Sequence, residues 1–307
     1  MEHFFKKFGP VLIFVAAMLW ASDAPFRLHL TKDLSSGLIV LGEHFFAILI
    51  AIPILFYNWA DVKKLSWRGW VSVLLVAICG SALASIAFTE AFRYVNPSVA
   101  ILLQKLQPLI AILLAVTLLR ERLPKLFWMW SALAIFGAYL ISFPKLVPQL
   151  YEGEVFNPNV TGVLLALLAA LFWGASTVLG KYALRTLSFQ TMTSLRFVVA
   201  FLFLFGMNVY GGTLAEISLI SGKDWLYIFI IAMVSGIFSL FLYYKGLSYT
   251  KASVATIAEL GFPVAAVLVN LAFIPNSTIS FIQIEGMLLL LAAIFFLTRP
   301  ESESVSI

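Results

Sequence analysis

Charge is scarce in this 307-residue chain: 11% of positions are Asp, Glu, Lys or Arg, where soluble domains carry about a quarter. Histidine is nearly missing, and His3, His29 and His44 are too scattered for an HExxH-type zinc site. The single cysteine, Cys79, lies inside an apolar run, which excludes a disulfide framework and a cysteine-based metal site. No glycine-rich phosphate loop ends in Gly-Lys-Ser/Thr, so ATP is not hydrolysed by that route. There is no GxSxG nucleophile elbow, no arginine-rich voltage-sensor helix and no TVGYG filter. No stretch between apolar runs is long enough to fold as a soluble domain. The expectation is a protein without cofactor or metal and without enzymatic activity.

What the chain has is apolar length. It is 62% hydrophobic with a mean hydropathy of +1.01. Runs of about twenty apolar residues, the length that crosses a bilayer as a helix, fall near 10–30, 37–57, 71–94, 98–119, 126–143, 161–184, 190–210, 225–247, 252–274 and 281–298. The fold class read from them is an all-α integral membrane protein with ten transmembrane helices. The longest connection, from Pro144 to Asn159, divides the runs into two sets of five. The first run has the outline of a leader peptide, but its features reappear mid-chain, so it is read as a retained span.

The halves repeat. Shifted by 155 positions, Ser98, Val99, Ala100, Pro108, Ala111 and Leu113 meet Ser253, Val254, Ala255, Pro263, Ala266 and Leu268, and Gln104 meets Glu259. Shifted by 153, Gly9, Leu12, Ala16, Ala17 and Trp20 meet Gly162, Leu165, Ala169, Ala170 and Trp173. Five is odd, so the second copy enters the membrane from the opposite side. Inverted five-helix repeats are an architecture of secondary transporters, with the site between the repeats near the midplane. The boundaries are 1–148 for the first repeat, 149–158 for a non-cytoplasmic linker and 159–307 for the second.

Basic residues set the orientation. With the N-terminus inside, thirteen lie at cytoplasmic ends and five, Arg27, Lys32, Arg93, Lys145 and Lys223, on the other side. Ten spans return the C-terminus to the cytoplasm. The expected location is the bacterial cytoplasmic membrane, with both termini cytoplasmic.

Several stretches carry a resemblance. Leu171–Ser176 (LFWGAS), Leu19–Phe26 (LWASDAPF) and the run from Ala91 to Leu123 resemble the repeats of the drug/metabolite transporter superfamily, EamA-type branch. Leu195-Arg-Phe resembles the second-helix motif of that repeat, where the first half has Glu43-His-Phe. The resemblance covers nearly the whole chain and implies export or exchange of small metabolites through a central cavity. Two departures stand out. Ile274-Pro-Asn replaces Arg120-Glu-Arg in the second repeat, and the intramembrane charges Glu43, Lys105 and Glu259 are not generic motif positions.

Polar groups at mid-membrane depth are costly and mark protein-facing or water-filled paths. The candidate substrate-binding residues are Lys105, Glu43, Gln104, Gln107, Glu259, Trp20 and Trp173. Lys105 lies about 12 Å from the outer end, too deep for simple snorkelling. It either faces the cavity or locks helices in an ion pair with Asp23, Glu43 or Glu90. Asp23, His44, Glu90 and Arg196 are coupling or structural charges, with Arg196 bonding to carbonyls or to Glu259. Trp20 and Trp173 line the cavity or pack. Tyr243 and Tyr244 are read as interfacial. Pro108 and Pro263 remove backbone donors and are the candidate hinges.

The function expected is alternating-access transport of a small polar or zwitterionic metabolite, amino acids and derivatives first, with a proton or counter-substrate as possible coupling partner. The alternatives are an anionic nucleotide or sugar carrier, a lipid-modifying membrane enzyme and a scaffolding subunit. Nucleic acid is not an expected partner.

Overall fold

The computed structural model describes residues 2–95, 100, 103–104, 106–143, 145–146, 151–152, 155–156, 160–273 and 279–298. Eight helical segments are long and apolar enough to cross a membrane, and two shorter apolar helices, Gln107–Leu118 and Phe281–Leu297, take the fourth and tenth places. The ten apolar runs are therefore ten helical passages. The only strands among the described residues are the pairs Tyr151–Glu152 and Val155–Phe156, a short hairpin in the central connection.

The first half contains α1 (Glu2–Trp20) and α2 (Ala24–Leu30), which form one broken passage, then α3 (Ser36–Tyr57) and the short α4 (Trp59–Val62). The third passage is α5 (Trp67–Leu75), a π-helical stretch (Val76–Leu83) and α6 (Ala84–Ala91); α7 (Gln107–Leu118) and α8 (Lys125–Ser142) follow. In the second half come α9 (Val160–Ala183) and α10 (Phe189–Gly211). The eighth passage is α11 (Gly222–Ile230), a second π-helical stretch (Ile231–Phe238) and α12 (Ser239–Tyr249). Then come α13 (Ala252–Ala258), α14 (Gly261–Phe273) and α15 (Phe281–Thr298).

Local chemistry sets these boundaries. Ser35, Ser66, Ser188 and Ser221 each accept a backbone N–H in the first turn of the helix that follows, which satisfies a donor that has no partner inside the helix. Pro108 and Pro263 both stand in the first turn of a helix, α7 and α14, where a missing N–H costs nothing. The chain turns at Leu106 before α7 and at Glu259–Leu260 before α14. The two prolines thus stand just after matching helix breaks. The two π-helical stretches are also 155 positions apart. Widened turns of this kind are rare and collect at functional sites; their recurrence at the repeat offset makes them part of the duplicated design.

Packing follows a two-fold rule. The second passage (α3) lies on the seventh (α10), the fourth (α7) on the ninth (α13) and the fifth (α8) on the tenth (α15). The first (α1) lies on the eighth (α12), and the third (α6) on the sixth (α9). Exchanging the halves maps this set onto itself, as an inverted repeat requires. Small residues allow the close crossings. A Cβ on Gly137 or on Gly286 would lie 2.7 Å from the other glycine's carbonyl oxygen, so α8 and α15 touch backbone to backbone. Ala16, Ala47, Ala77, Ala169 and Ala200 are fully buried between helices, while Leu113, Leu202 and Leu288 face outward, where lipid replaces water.

Candidate functional site

A cavity of about 190 Å³ lies between the halves and is lined by residues of both. Trp20, Glu43, Gln104, Gln107 and Pro108 reach it from the first half, and Trp173, Arg196, Tyr243 and Glu259 from the second. Its polar groups form three clusters.

The first is organised by Arg27, which is buried on α2. Its Nη2 donates to Asp23 Oδ2 at 3.0 Å and to Glu43 Oε2 at 3.2 Å, and Nη1 donates to Thr89 at 3.0 Å. Nη1 also lies 2.9 Å from Glu43 Oε1, without the alignment of a hydrogen bond. The break at Ala21–Asp23 turns α2 so that one guanidinium faces the carboxylates of Asp23 and of Glu43 on α3. Counting charges by depth placed Arg27 among the outer loop cations. That reading is corrected: Arg27 is an internal counter-ion. Asp23 and Glu43 both bind Arg27; Lys105 lies outside the described residues. The readable signal was the Asp23…Arg27 spacing of four, which puts both side chains on one face.

The second cluster holds Arg196 on α10. It donates from Nε to Ser81 Oγ at 2.6 Å, from Nη1 to Tyr244 Oη at 2.8 Å and from Nη2 to the Gly80 carbonyl at 3.0 Å. Ser81 and Gly80 belong to the first π-helical stretch, so a first-half helix grips a second-half cation. Of the two roles open to Arg196, it bonds to a carbonyl and hydroxyls. It makes no ion pair with Glu259.

The third surrounds Glu259, at the break between α13 and α14. Oε1 accepts from Tyr243 at 2.9 Å and Thr177 at 3.1 Å; Oε2 accepts from Gln107 Nε2 at 2.6 Å. Thr177 comes from α9, Tyr243 from α12 and Gln107 from α7. Tyr243 and Tyr244 are 3% and 0% exposed. The interfacial reading of this pair is therefore wrong: both hydroxyls spend their hydrogen bonds inside the bundle. A tyrosine with a satisfied hydroxyl buries well, and sequence position alone does not separate it from a belt tyrosine.

Two aromatic pairs wall the cavity. Trp20 packs 5.4 Å from Tyr243 and donates from Nε1 to Ser239 at 2.9 Å; Trp173 packs 5.1 Å from Phe88. Apart from Glu43 Oε1, which faces Arg27, three lining groups have buried polar atoms without a hydrogen-bond partner: Gln104 Oε1, His44 Nε2 and Thr256 Oγ1. His44 Nδ1 lies 2.8 Å from the Val40 carbonyl, and a proton on Nδ1 there leaves Nε2 as an acceptor. Thr256 and Thr177 had no sequence signal beyond being polar in an apolar run. Glu90 stands apart from the cavity, accepting from Ser36 at 2.7 Å and pairing with Arg93 at 3.1 Å. Pro263 is buried and does not line the cavity, whereas Pro108 does. Among the described residues no group of His, Cys, Asp and Glu is placed to hold a metal.

Comparison with known proteins places this architecture. The chain is 31% identical over 296 residues to riboflavin transporter ImpX of Fusobacterium nucleatum, covering 95% of this chain and 97% of that protein. It is 23% identical over 262 residues to the uncharacterized transporter YetK of Bacillus subtilis, covering 85% and 77%. A solved crystal structure with 16% sequence identity superposes with a TM-score of 0.71 over 96% of this chain and 99% of that one, which shows the shared fold. The model of the EamA-like transporter family matches twice, over residues 7–143 and 160–299. With two family matches in one chain and a central cavity between the halves, this protein belongs to the EamA-like transporter family and is a membrane transporter rather than an enzyme.

Proposed function

We propose that this transporter carries a flat heteroaromatic metabolite of the flavin class, with riboflavin first to be tested, by alternating access of its two halves. The observation that carries the reading is the lining itself. Aromatic walls from both halves flank three buried polar atoms that lack partners, Gln104 Oε1, His44 Nε2 and Thr256 Oγ1. Unpaired buried polar atoms cost free energy until a ligand satisfies them. A planar ring with N–H and hydroxyl donors at its edge can stack on the walls and donate to these atoms. The relative named as a riboflavin transporter supports the same chemistry.

The charge balance argues against an anionic nucleotide. Among the described lining residues the carboxyl groups of Asp23, Glu43 and Glu259 outnumber the cations Arg27 and Arg196. A second reading, an amino acid or other zwitterion, is favoured by Glu259 and Arg196 in one cavity. In this mechanism the halves, 1–148 and 159–307 joined by a non-cytoplasmic linker, rock about the helix breaks next to Pro108 and Pro263. Export or exchange is the direction the family resemblance favours. With Arg27 assigned inside the bundle, thirteen cytoplasmic basic residues stand against four outside, which supports cytoplasmic termini in a bacterial inner membrane.

The test is counterflow in proteoliposomes. Vesicles preloaded with riboflavin should take up labelled riboflavin, with aromatic amino acids failing to compete. Competition by amino acids without riboflavin exchange would favour the zwitterion reading instead.

A further inference from the structure

We infer that Glu259 is the proton-binding site that couples this transport cycle to a pH gradient, an inference that rests on the transport reading above. The cavity has three described carboxylates. Two of them, Asp23 and Glu43, are fixed on Arg27. Glu259 is 8% exposed and makes no ion pair among the described residues. A buried carboxyl without a cation partner is held by donors or by a proton, and this site provides for both states.

The surroundings are specific. From α12 the phenols of Tyr243 and Tyr244 face Glu259, and from α10 the guanidinium of Arg196. The nearest basic group on α9, Lys181, is turned away and donates to the Leu247 and Ser248 carbonyls. Among the described residues, the remaining charges around the cavity are the Arg27 cluster and His44. Three neutral donors therefore hold the ionised form, one of them, Gln107, from the opposite half.

Proton uptake changes this contact. A proton on Oε2 removes the negative charge that strengthens the bond from Gln107 Nε2 at 2.6 Å, and the new O–H can donate to Gln107 once that amide turns to offer its oxygen. The weakened or reversed contact transmits the charge of a second-half acid to α7 of the first half, beside the break at Leu106. The first-half counterpart of Glu259 is Gln104, which cannot ionise, so the repeat provides one such site and not two.

The test has two arms. Infrared difference spectra of the protein in lipid between acid and alkaline pH should show one buried protonated-carboxyl band that is lost in Glu259→Gln and whose titration shifts in Tyr243→Phe. In proteoliposomes a gradient of one pH unit should support roughly tenfold accumulation of riboflavin for one coupled proton. In Glu259→Gln, whatever counterflow remains should equilibrate substrate without accumulation and without pH dependence. Absence of that band, or gradient-driven accumulation that survives Glu259→Gln, overturns the proposal. If riboflavin does not exchange at all, the substrate reading fails, and the infrared band still decides the proton site.

Discussion

Replacing Arg27 with methionine isolates the ion cluster, since methionine keeps the apolar stem and removes the guanidinium. The side chains of Arg27 and Glu43 are only 9% and 11% exposed, so solvent relieves little of the imbalance. Arg27→Met leaves Glu43 and Asp23 as neighbouring carboxylates and Thr89 without its donor. Breaking a buried pair in this way costs roughly 3–5 kcal/mol, because the surviving charge is uncompensated. The double variant Arg27→Met/Glu43→Leu removes both charges, and Asp23, 21% exposed, can then reach water. It should return to within about 1–2 kcal/mol of the parent. Reversible unfolding in mixed micelles, run as a double-mutant cycle, measures the difference. A single-variant cost below about 1 kcal/mol, the range of exposed pairs, would show that Arg27 is solvated and refute its assignment as an internal counter-ion.

Other outcomes follow from separate parts of the molecule. Glu121 accepts the backbone N–H groups of Ala252 and Ser253 at 2.7 and 3.1 Å, tying the end of α7 to the start of α13. Glu121→Ala should cost roughly 1–2 kcal/mol and shift the balance between conformers by a factor of about 5–30, read as faster labelling of a cysteine placed at Lys251; an unchanged rate would show that this tie does not set that balance. Asp61, on the short α4, is held below the usual carboxylate range chiefly by the hydrogen bond from Lys64, with further bonds from Ser188 and Thr191. Its contribution to stability is complete above about pH 4, the unfolded value, and disappears as pH falls through its lower folded value. Asp61→Asn should remove that part of the acid dependence in unfolding measurements. Trp20→Ala and Trp173→Ala should each weaken riboflavin binding by roughly threefold to tenfold, the worth of an aromatic pair, in fluorescence titrations; binding unchanged from the parent in both variants would mean that the rings only pack.

The passages and their inverted duplication were legible because each depends on one-dimensional quantities: apolar length, spacing, and an odd count. The 155-residue shift located Pro108 and Pro263, and the structure puts both directly after helix breaks. Partners were not legible. Glu259 meets Gln107, Thr177 and Tyr243 across 152, 82 and 16 positions, and no periodicity reports contacts between helices. Arg27 was misplaced because depth along a span says nothing about azimuth, and a cation near an outer end can turn inward when the helix breaks. The π-helical stretches have no compositional mark: Val76–Leu83 and Ile231–Phe238 read as ordinary apolar helix.

Those paired stretches have a mechanical meaning. A widened turn is a defect that can move along a helix, and moving it by one residue rotates the intervening side chains by about 100° while both ends stay anchored. Such a shift in the third or eighth passage would re-aim the side chains it crosses without sliding the helix through the bilayer. Ser81 and the Gly80 carbonyl, both inside the first stretch, hold Arg196. Migration of that defect would release or regrip the cation of the opposite half, a local re-aiming of side chains inside a passage whose two ends stay fixed.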